Sequence, residues 1–138
     1  MGFLSGKTAI ITGAGRAVLT DGSCGSIGYG IATAFAKEGA NLVITGRNVK
    51  KLEEAKAELE ANYGIRVLPV QADVCAGGDN EATVQNVVKQ AVDVFGSIQV
   101  LVNNAQASAS GVPLADHTTE QFDLAVYSGL YAAFYYMK

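Results

Sequence analysis

The feature of this sequence that most constrains its fold is a short β-branched run followed by glycines and then by a helical pattern. Residues 7–12 read Lys-Thr-Ala-Ile-Ile-Thr, and a strand that is apolar on both faces is typical of a buried parallel sheet. A glycine-rich turn comes next, and a helix is predicted over residues 26–38. Backbone N–H groups at a helix N-terminus bind phosphate when no side chain obstructs them. This order of elements therefore indicates a dinucleotide-binding βαβ unit.

Apolar runs of strand length alternate with segments of helical period along the whole chain, which is typical of an α/β fold with a parallel sheet. Because βαβ crossovers are right-handed, we expect a Rossmann-type doubly wound sheet with strand order 3-2-1-4 in a single domain over residues 1–138. The further strands are predicted at residues 41–45, 66–72 and 98–102, and the further helices between an N-cap at Asn48 and a closing Gly64, at 80–95 and from Thr118 onward.

The apolar residues of each predicted helix fall at the 3.6-residue period, and they define the face that should pack on the sheet. These inward residues are Ile27, Ile31, Ala34 and Phe35 in the first helix, Leu52, Ala55 and Leu59 in the second, and Val84, Val87, Val88, Ala91 and Phe95 in the third. In the last helix Thr118 and Gln121 have the spacing of a capping box.

The fourth predicted strand, residues 98–102, would lie at the edge of this sheet, although its uniformly apolar composition is that of a central strand. An exposed apolar edge invites aggregation. We therefore expect further strands to pair beyond it.

Composition and charge exclude several classes of function. A net charge of −3 and a pI near 5.0 provide no basic surface for nucleic acid. Two cysteines, Cys24 and Cys75, and one histidine, His117, form no ligand set for a metal and no disulfide framework. No stretch reaches the roughly 20 apolar residues that a membrane span needs. These observations predict a cytoplasmic protein without metal, membrane or nucleic-acid partners.

The glycine-rich turn is longer than the compact dinucleotide fingerprint, because residues 16–25 are inserted between its first glycines and the helix. The cost of closing a loop grows only logarithmically with its length, so the insertion is tolerable. Asp21 within it would be repelled by a pyrophosphate, and it is therefore expected to lie in solvent.

The end of the second strand indicates which dinucleotide binds. A carboxylate at this place binds the ribose of NAD, whereas an arginine accommodates the 2′-phosphate of NADP. Residues 45–48 read Thr-Gly-Arg-Asn, so Arg47 supplies a cation and no carboxylate is present. Arg16 in the glycine loop adds a second cation. The sequence thus favours NADP.

With these features placed, the whole chain resembles the short-chain dehydrogenase/reductase family. Thr-Gly-Ala-Gly at 12–15 with Ser-Ile-Gly at 26–28 is similar to the family's glycine motif in split form, Asp-Val at 73–74 to its adenine-binding acidic residue, and Asn-Asn-Ala at 103–105 to its Asn-Asn-Ala-Gly signature. The resemblance implies a pyrophosphate site at Gly13, Ser26, Ile27 and Gly28, an adenosine-phosphate site at Arg47 and Asn48, an adenine site at Asp73 and Val74, and a nicotinamide-side ribose site at Asn104 and Ala105.

Two positions depart from the family pattern. Gln106 replaces the last glycine of the Asn-Asn-Ala-Gly signature, and Gly129 stands where the last helix usually carries a catalytic-site asparagine. With the stretches 26–32 and 104–111, this pair resembles the bacterial NADP-dependent 12α-hydroxysteroid dehydrogenases, a branch of the family. Gln106 puts a side chain near the substrate. Gly129 lacks the side chain that supports the proton relay in other members of the family.

The family's chemistry is hydride transfer between nicotinamide and an alcohol or carbonyl carbon, with a Tyr-x-x-x-Lys pair and a serine as catalytic residues. No lysine of this chain has a tyrosine four positions before it. We therefore assign no catalytic residue, and we expect the chain to be the amino-terminal part of a longer enzyme.

Tyr127, Tyr131 and Tyr135 recur every four residues in the last helix, a pattern that indicates a buried or interfacial stripe. In the family this helix helps to form the subunit interface, so the resemblance implies a homo-oligomer, a dimer or a tetramer. His117 is expected to be a solvated or capping residue before the helix.

Three functions are consistent with these observations. The leading one is an NADP-dependent oxidoreductase that acts on a secondary alcohol or ketone, with a hydroxysteroid as the preferred substrate. The second is a 3-oxoacyl or enoyl thioester reductase of the same family. The third is a dinucleotide-binding module without catalysis.

Overall fold

A computed structural model describes residues 2–75 and 80–138 of the protein. Its centre is a parallel sheet in the order β3-β2-β1-β4, which confirms the α/β class and the predicted order 3-2-1-4. The strands are β1 (Thr8–Ile11), β2 (Asn41–Gly46), β3 (Val67–Gln71) and β4 (Val100–Val102). Most are shorter than their apolar runs, because residues at the ends of a run lie outside the hydrogen-bonded ladder.

The helices begin and end close to the predicted residues. They are α1 (Ile27–Lys37), α2 (Val49–Tyr63), α3 (Asn80–Phe95), α4 (Thr119–Ala125) and α5 (Ala132–Met137), with a 3-10 turn at Leu114–Asp116. Asn48 caps α2 through its side chain, and Gly64 closes it at φ +66°. Thr118 and Gln121 form the predicted capping box of α4. None of the helices in the described ranges is long and apolar enough to cross a membrane.

The last helix is not continuous. Residues Val126–Tyr131 between α4 and α5 form a π-helical segment, in which Ser128 is buried. Segments of this kind often occur at functional sites because they change which side chains a helix presents. Periodicity alone did not predict this interruption.

The sheet has a hydrophobic core on each face, because successive residues of a strand point in opposite directions. Ile11 of β1 packs among residues of α1 and α2, whereas Ile10 packs among residues of α3 and α5. Leu52 of α2 and Val84 of α3 are each 1% exposed, as predicted. Burying a side chain of this size stabilises the fold by about 1.5–3 kcal/mol.

The predicted inward face of α1 is wrong at Ile27 and Ala34, which are exposed, whereas Ile31 and Phe35 are half-buried against the core as predicted. Ile27 is 76% exposed, and the residues of α1 that are fully buried are Gly28, Tyr29, Ala32 and Ala36. In the first turn of α1 it is Gly28 that faces the turn after β1, so the adjacent Ile27 projects from another side of the helix into solvent. A close helix–strand approach instead selects the small residues Gly28, Ala32 and Ala36.

Candidate functional site: a cleft at the carboxyl edge of the sheet

The carboxyl ends of the four parallel strands meet at one edge, where open α/β sheets bind their ligands. A cavity of about 220 Å³ lies there. The predicted residues that line it are Gly13, Arg47, Asp73, Val74, Asn104 and Ala105. Residues that are far apart in the sequence are thus brought to one cleft.

The glycines of the turn allow α1 to approach β1 closely. A Cβ atom at residue 28 would lie 2.1 Å from the carbonyl oxygen of Gly13 and 2.6 Å from Nδ2 of Asn104. Gly13 itself has φ +70°, a conformation that side chains rarely adopt. Glycine at these two positions is therefore required by the packing of the turn itself.

The N-terminus of α1, which is the positive end of its helix dipole, lies beside the cleft. The Ser26 hydroxyl caps the helix by accepting a hydrogen bond from the Tyr29 N–H at 3.4 Å. Within the described ranges the N–H groups of Ile27 and Gly28 have no protein acceptor. Two free donors at the positive end of a helix dipole are suited to an anion such as a pyrophosphate.

A second cavity of about 240 Å³ adjoins the same turn, and basic residues surround it. Its lining includes Arg16, Ser26, Arg47, Asn48 and Lys51. Sequence reasoning missed Lys51, which lies in the first turn of α2, while Arg47 precedes the cap residue of that helix. Three cations around a cavity of this size are suited to a phosphate group.

Two of these side chains already have protein partners. Nε of Arg16 donates to a carboxylate oxygen of Glu58 at 2.5 Å, so the guanidinium lies along α2. The Oδ1 atom of Asn48 accepts the Lys51 N–H at 3.1 Å as the cap of α2. Arg47, by contrast, is exposed at the end of β2. The roles in cofactor binding assigned to Arg16, Arg47 and Asn48 stay predictions.

Thr12 joins the glycine turn to the segment after β4. Its hydroxyl oxygen accepts the N–H groups of Asn104 and Ala105, each at 2.9 Å. The side-chain amide of Asn104 donates in turn to the carbonyl oxygens of Thr12 at 3.0 Å and Gly13 at 3.3 Å. Asn104 therefore fixes the shape of the turn through contacts within the protein, independently of any contact with a ligand.

The segment after β3 forms the far wall of the first cavity. Asp73 is exposed, and its carboxylate accepts the Cys75 N–H at 2.9 Å, whereas Val74 is 8% exposed. Burial, together with the neighbouring Asp73, raises the pKa of the Cys75 thiol above its ordinary value. Residues 76–79 lie outside the described ranges.

A third cavity, of about 510 Å³, lies between the segment after β4 and the π-helical segment. Gln106 belongs to the lining of this cavity and of the first one. Ser128 holds the two segments together, because its hydroxyl oxygen accepts the Ala107 N–H at 2.9 Å and lies 2.7 Å from the Leu124 carbonyl oxygen. Sequence reasoning missed Ser128, since its partners are fixed only in the folded chain.

The inserted residues 16–25 form a small hairpin with an antiparallel bridge between Val18 and Cys24. Asp21 is exposed, as expected, and its carboxylate accepts both the N–H and the hydroxyl of Ser23. Its role is therefore to shape the tip of the hairpin.

The remaining polar and aromatic residues near the last helix form no catalytic cluster in the described part of the chain. The rings of Tyr127 and Tyr131 are 5.4 Å apart, and those of Tyr131 and Tyr135 are 6.0 Å apart. Nδ1 of His117 lies 3.1 Å from the Pro113 carbonyl oxygen, in the loop before α4. Within the described ranges, no three His, Cys, Asp or Glu residues converge as metal ligands would.

Comparisons with known proteins agree on one family. A family model described as enoyl-(acyl carrier protein) reductase matches residues 22–138. The 12α-hydroxysteroid dehydrogenase of a Clostridium species is 57% identical over 138 residues, which are 100% of this chain and 51% of that protein.

Solved structures show the same likeness. L-sorbose reductase from Gluconobacter frateurii, crystallised with NADPH and L-sorbose, superposes with a TM-score of 0.82 at 34% identity, over 99% of this chain and 46% of that one. An NAD⁺-bound xylitol dehydrogenase superposes with a TM-score of 0.81 at 27% identity, over 98% of this chain and 46% of that one. The chain spans about half the length of these relatives, and it belongs to the short-chain dehydrogenase/reductase family.

Proposed function

We propose that the protein carrying this chain is an NADP-dependent oxidoreductase that transfers hydride between nicotinamide and a secondary alcohol or ketone. The observation that carries this proposal is the cavity beside the glycine turn, where Arg16, Arg47 and Lys51 surround a space close to the N-terminus of α1. A 2′-phosphate is the group that distinguishes NADP from NAD and that such a basic cavity would bind. The NADPH-bound sorbose reductase supports the same cofactor.

Each part of the cleft has a role in this proposal. The N–H groups of Ile27 and Gly28 bind the pyrophosphate, and the cations of Arg47 and Lys51 neutralise the adenosine phosphate. Asp73 and Val74 contact the adenine, while Asn104 and Ala105 position the nicotinamide-side ribose. The bound dinucleotide supplies the hydride chemistry. The residues of this chain bind and orient it.

The preferred substrate is a hydroxysteroid. The 57% identity to a 12α-hydroxysteroid dehydrogenase over the whole chain supports this choice. In the structure, Gln106 and Gly129 line a cavity of about 510 Å³ next to the cofactor cleft. This cavity is open to solvent on one side, so it would contact one face of a rigid apolar molecule.

A second candidate is a 3-oxoacyl or enoyl thioester reductase. The description of the matching family model favours it. Both candidates use the same cofactor cleft, so only the substrate distinguishes them.

The test is NADPH oxidation by the protein carrying this chain, followed at 340 nm, with a 12-oxo steroid, a 3-oxoacyl thioester and an enoyl thioester in turn. We expect turnover with the steroid and at most slow turnover with the thioesters. Preferential turnover of a thioester would support the second candidate. NADPH binding without turnover of any of the three would support a binding module without catalysis.

We also propose that the protein is a cytoplasmic homo-oligomer, a dimer or tetramer, associated through the helical region from Thr118. Leu130, Tyr131 and Phe134 project from this region and are 67%, 43% and 53% exposed. Aromatic surfaces of this kind are enriched at the centres of interfaces. Light scattering should show more than one chain per particle, and Tyr131→Glu should reduce the particle mass.

A further inference from the structure

One carboxylate, that of Glu58, contacts both ends of the extended glycine loop. Nε of Arg16, where the loop leaves the sheet, donates to one oxygen of Glu58 at 2.5 Å. The hydroxyl of Tyr29, where the chain enters α1, donates to the other oxygen. These three residues belong to the loop, α1 and α2, respectively. The sequence alone did not indicate that they contact one another.

Both partners of Glu58 are themselves fixed. Tyr29 is 2% exposed, and its N–H binds the cap residue Ser26 in the first turn of α1. The N–H of Arg16 donates to the Lys51 carbonyl oxygen at 2.9 Å in the first turn of α2. Movement of either end of the loop would therefore break contacts with a rigid helix.

The chain between these two ends is mostly exposed, and its Val18 packs against the core. It is the hairpin of residues 17–25, which is held by its own hydrogen bonds, such as that from Gly25 N–H to the Ala17 carbonyl at 2.7 Å. A loop with this insertion loses more entropy on ordering than a compact turn does. A contact that fixes both ends to α2 offsets part of that loss before a ligand binds.

The position of Glu58 also determines where Arg16 points. Glu58 lies seven residues beyond Lys51, which is about 10 Å further along the helix at 1.5 Å per residue. Arg16 lines the same cavity as Arg47 and Asn48, and its Nε is held on α2 by Glu58. The contact between Arg16 and Glu58 therefore holds the loop against α2.

The two hydrogen-bond donors of Glu58 favour its ionised carboxylate. The hydrogen bond from Tyr29, followed by that from Arg16, lowers the pKa of the Glu58 carboxyl. Burial and the neighbouring Glu58 raise the pKa of Tyr29. At neutral pH the phenol therefore keeps its proton for the hydrogen bond, and the carboxylate accepts from both partners.

We propose that Glu58 is a positioning residue for dinucleotide binding, and that Arg16, Tyr29 and Glu58 form a latch that holds the phosphate loop in its binding shape. The latch acts on the pyrophosphate site, which NADP(H) and NAD(H) share. Loss of the latch weakens the binding of both cofactors by the same factor and leaves the preference between them unchanged. This inference rests on the proposed dinucleotide function.

The test compares Glu58→Gln, which removes the charge at constant size, with Tyr29→Phe, which removes only the hydroxyl. Asp93→Asn is the matched control, because Asp93 accepts from Lys89 at 2.6 Å in an exposed ion pair on α3. Dissociation constants for NADPH and NADH are measured by the fluorescence of the reduced nicotinamide. For Glu58→Gln we expect both constants to rise about fivefold, with a smaller rise for Tyr29→Phe and none for Asp93→Asn.

Coupling between the residues separates a latch from general destabilisation. Because Arg16 and Glu58 act through one contact, Arg16→Ala combined with Glu58→Gln should weaken NADH no more than the stronger single variant does. Hydrogen exchange should accelerate in residues 16–30 of Glu58→Gln and stay unchanged in β2 and β3. The latch would be overturned if the losses of NADH affinity multiplied in the double variant, or if hydrogen exchange accelerated across the whole sheet.

A change in cofactor preference would overturn it as well. If Arg16 left Glu58 to bind the 2′-phosphate, Glu58→Gln would free it and strengthen NADPH relative to NADH. Failure of the unsubstituted protein to bind either cofactor would reject the proposed function. In that case the exchange of residues 16–30 alone would decide whether the latch orders the loop.

Discussion

The side chain of Gln106 lies directly against Gly129, so that a Cβ atom at residue 129 would be only 3.3 Å from Cγ of Gln106. The two positions that depart from the family pattern are therefore one structural unit. The glycine in the π-helical segment makes room for the glutamine after β4. Gln106 in turn extends along the boundary between the cofactor cleft and the neighbouring cavity.

Substituting Gly129 should reveal this contact. In an exposed helical position, alanine is more stable than glycine by about 1 kcal/mol. We expect Gly129→Ala to yield less than this gain in the unsubstituted protein, because the new methyl group is crowded by Gln106. In a Gln106→Ala background the full gain should return. Urea unfolding of the four proteins of this cycle measures the coupling, and equal gains in both backgrounds would show that the two side chains do not interact.

Removing the Thr12 hydroxyl should destabilise the fold by about 1–2 kcal/mol, because the half-buried N–H of Ala105 loses its acceptor and that of Asn104 keeps only the Val102 carbonyl oxygen. The variant is Thr12→Val, which keeps the branched shape. Thr8→Val is the matched control, since both threonines are 3% exposed and the Thr8 hydroxyl has no hydrogen bond within the described ranges. Thermal unfolding should show a loss of less than about 1 kcal/mol for the control. Equal losses would mean that the hydroxyl network of Thr12 contributes nothing specific.

The two cysteines should differ in their reaction with iodoacetamide. The raised pKa of Cys75 lowers its thiolate fraction at a given pH, and the thiolate is the reactive form. Cys24 is exposed whereas Cys75 is half-buried. At pH 8 we therefore expect faster labelling of Cys24, with the rate at Cys75 still rising at higher pH.

Bound cofactor provides a second readout of the same experiment. Cys75 lines the first cavity together with Asp73, so NADPH should protect it and leave Cys24 reactive. Peptide mass spectrometry resolves the two sites. Protection of Cys24 alone would place the dinucleotide over the hairpin and not in the cleft.

The sheet was predictable from sequence because each strand lies in a largely apolar run, and such runs can be recognised without knowledge of their neighbours. Helix caps were predictable for the same reason, since Asn48 and Thr118 act on residues within one turn. The face of α1 was less so. Its hydrophobic period points to Ile27, but the residue that packs on the turn after β1 is the neighbouring Gly28.

Side chains whose partners are distant in sequence were the ones missed. Glu58 contacts residues 42 and 29 positions away, and Ser128 contacts one 21 positions away. No local pattern distinguishes Glu58 from the other acidic residues of α2. Several of the motif residues line one cavity at the strand ends, but motif knowledge could not show that Arg16 is held by Glu58.

The central claim is that the cleft prefers a 2′-phosphorylated dinucleotide because of Arg47, and the most direct measurement is the ratio of NADPH to NADH dissociation constants for Arg47→Asp. We expect NADPH binding to weaken by roughly 50-fold or more, since a charge-assisted contact becomes a repulsion, and NADH binding to change by less than about fivefold. Lys50→Asp, with the same charge change at an exposed residue three positions further on, should leave the ratio within about twofold, given screening by salt. An unchanged ratio in Arg47→Asp would contradict the assignment of NADP.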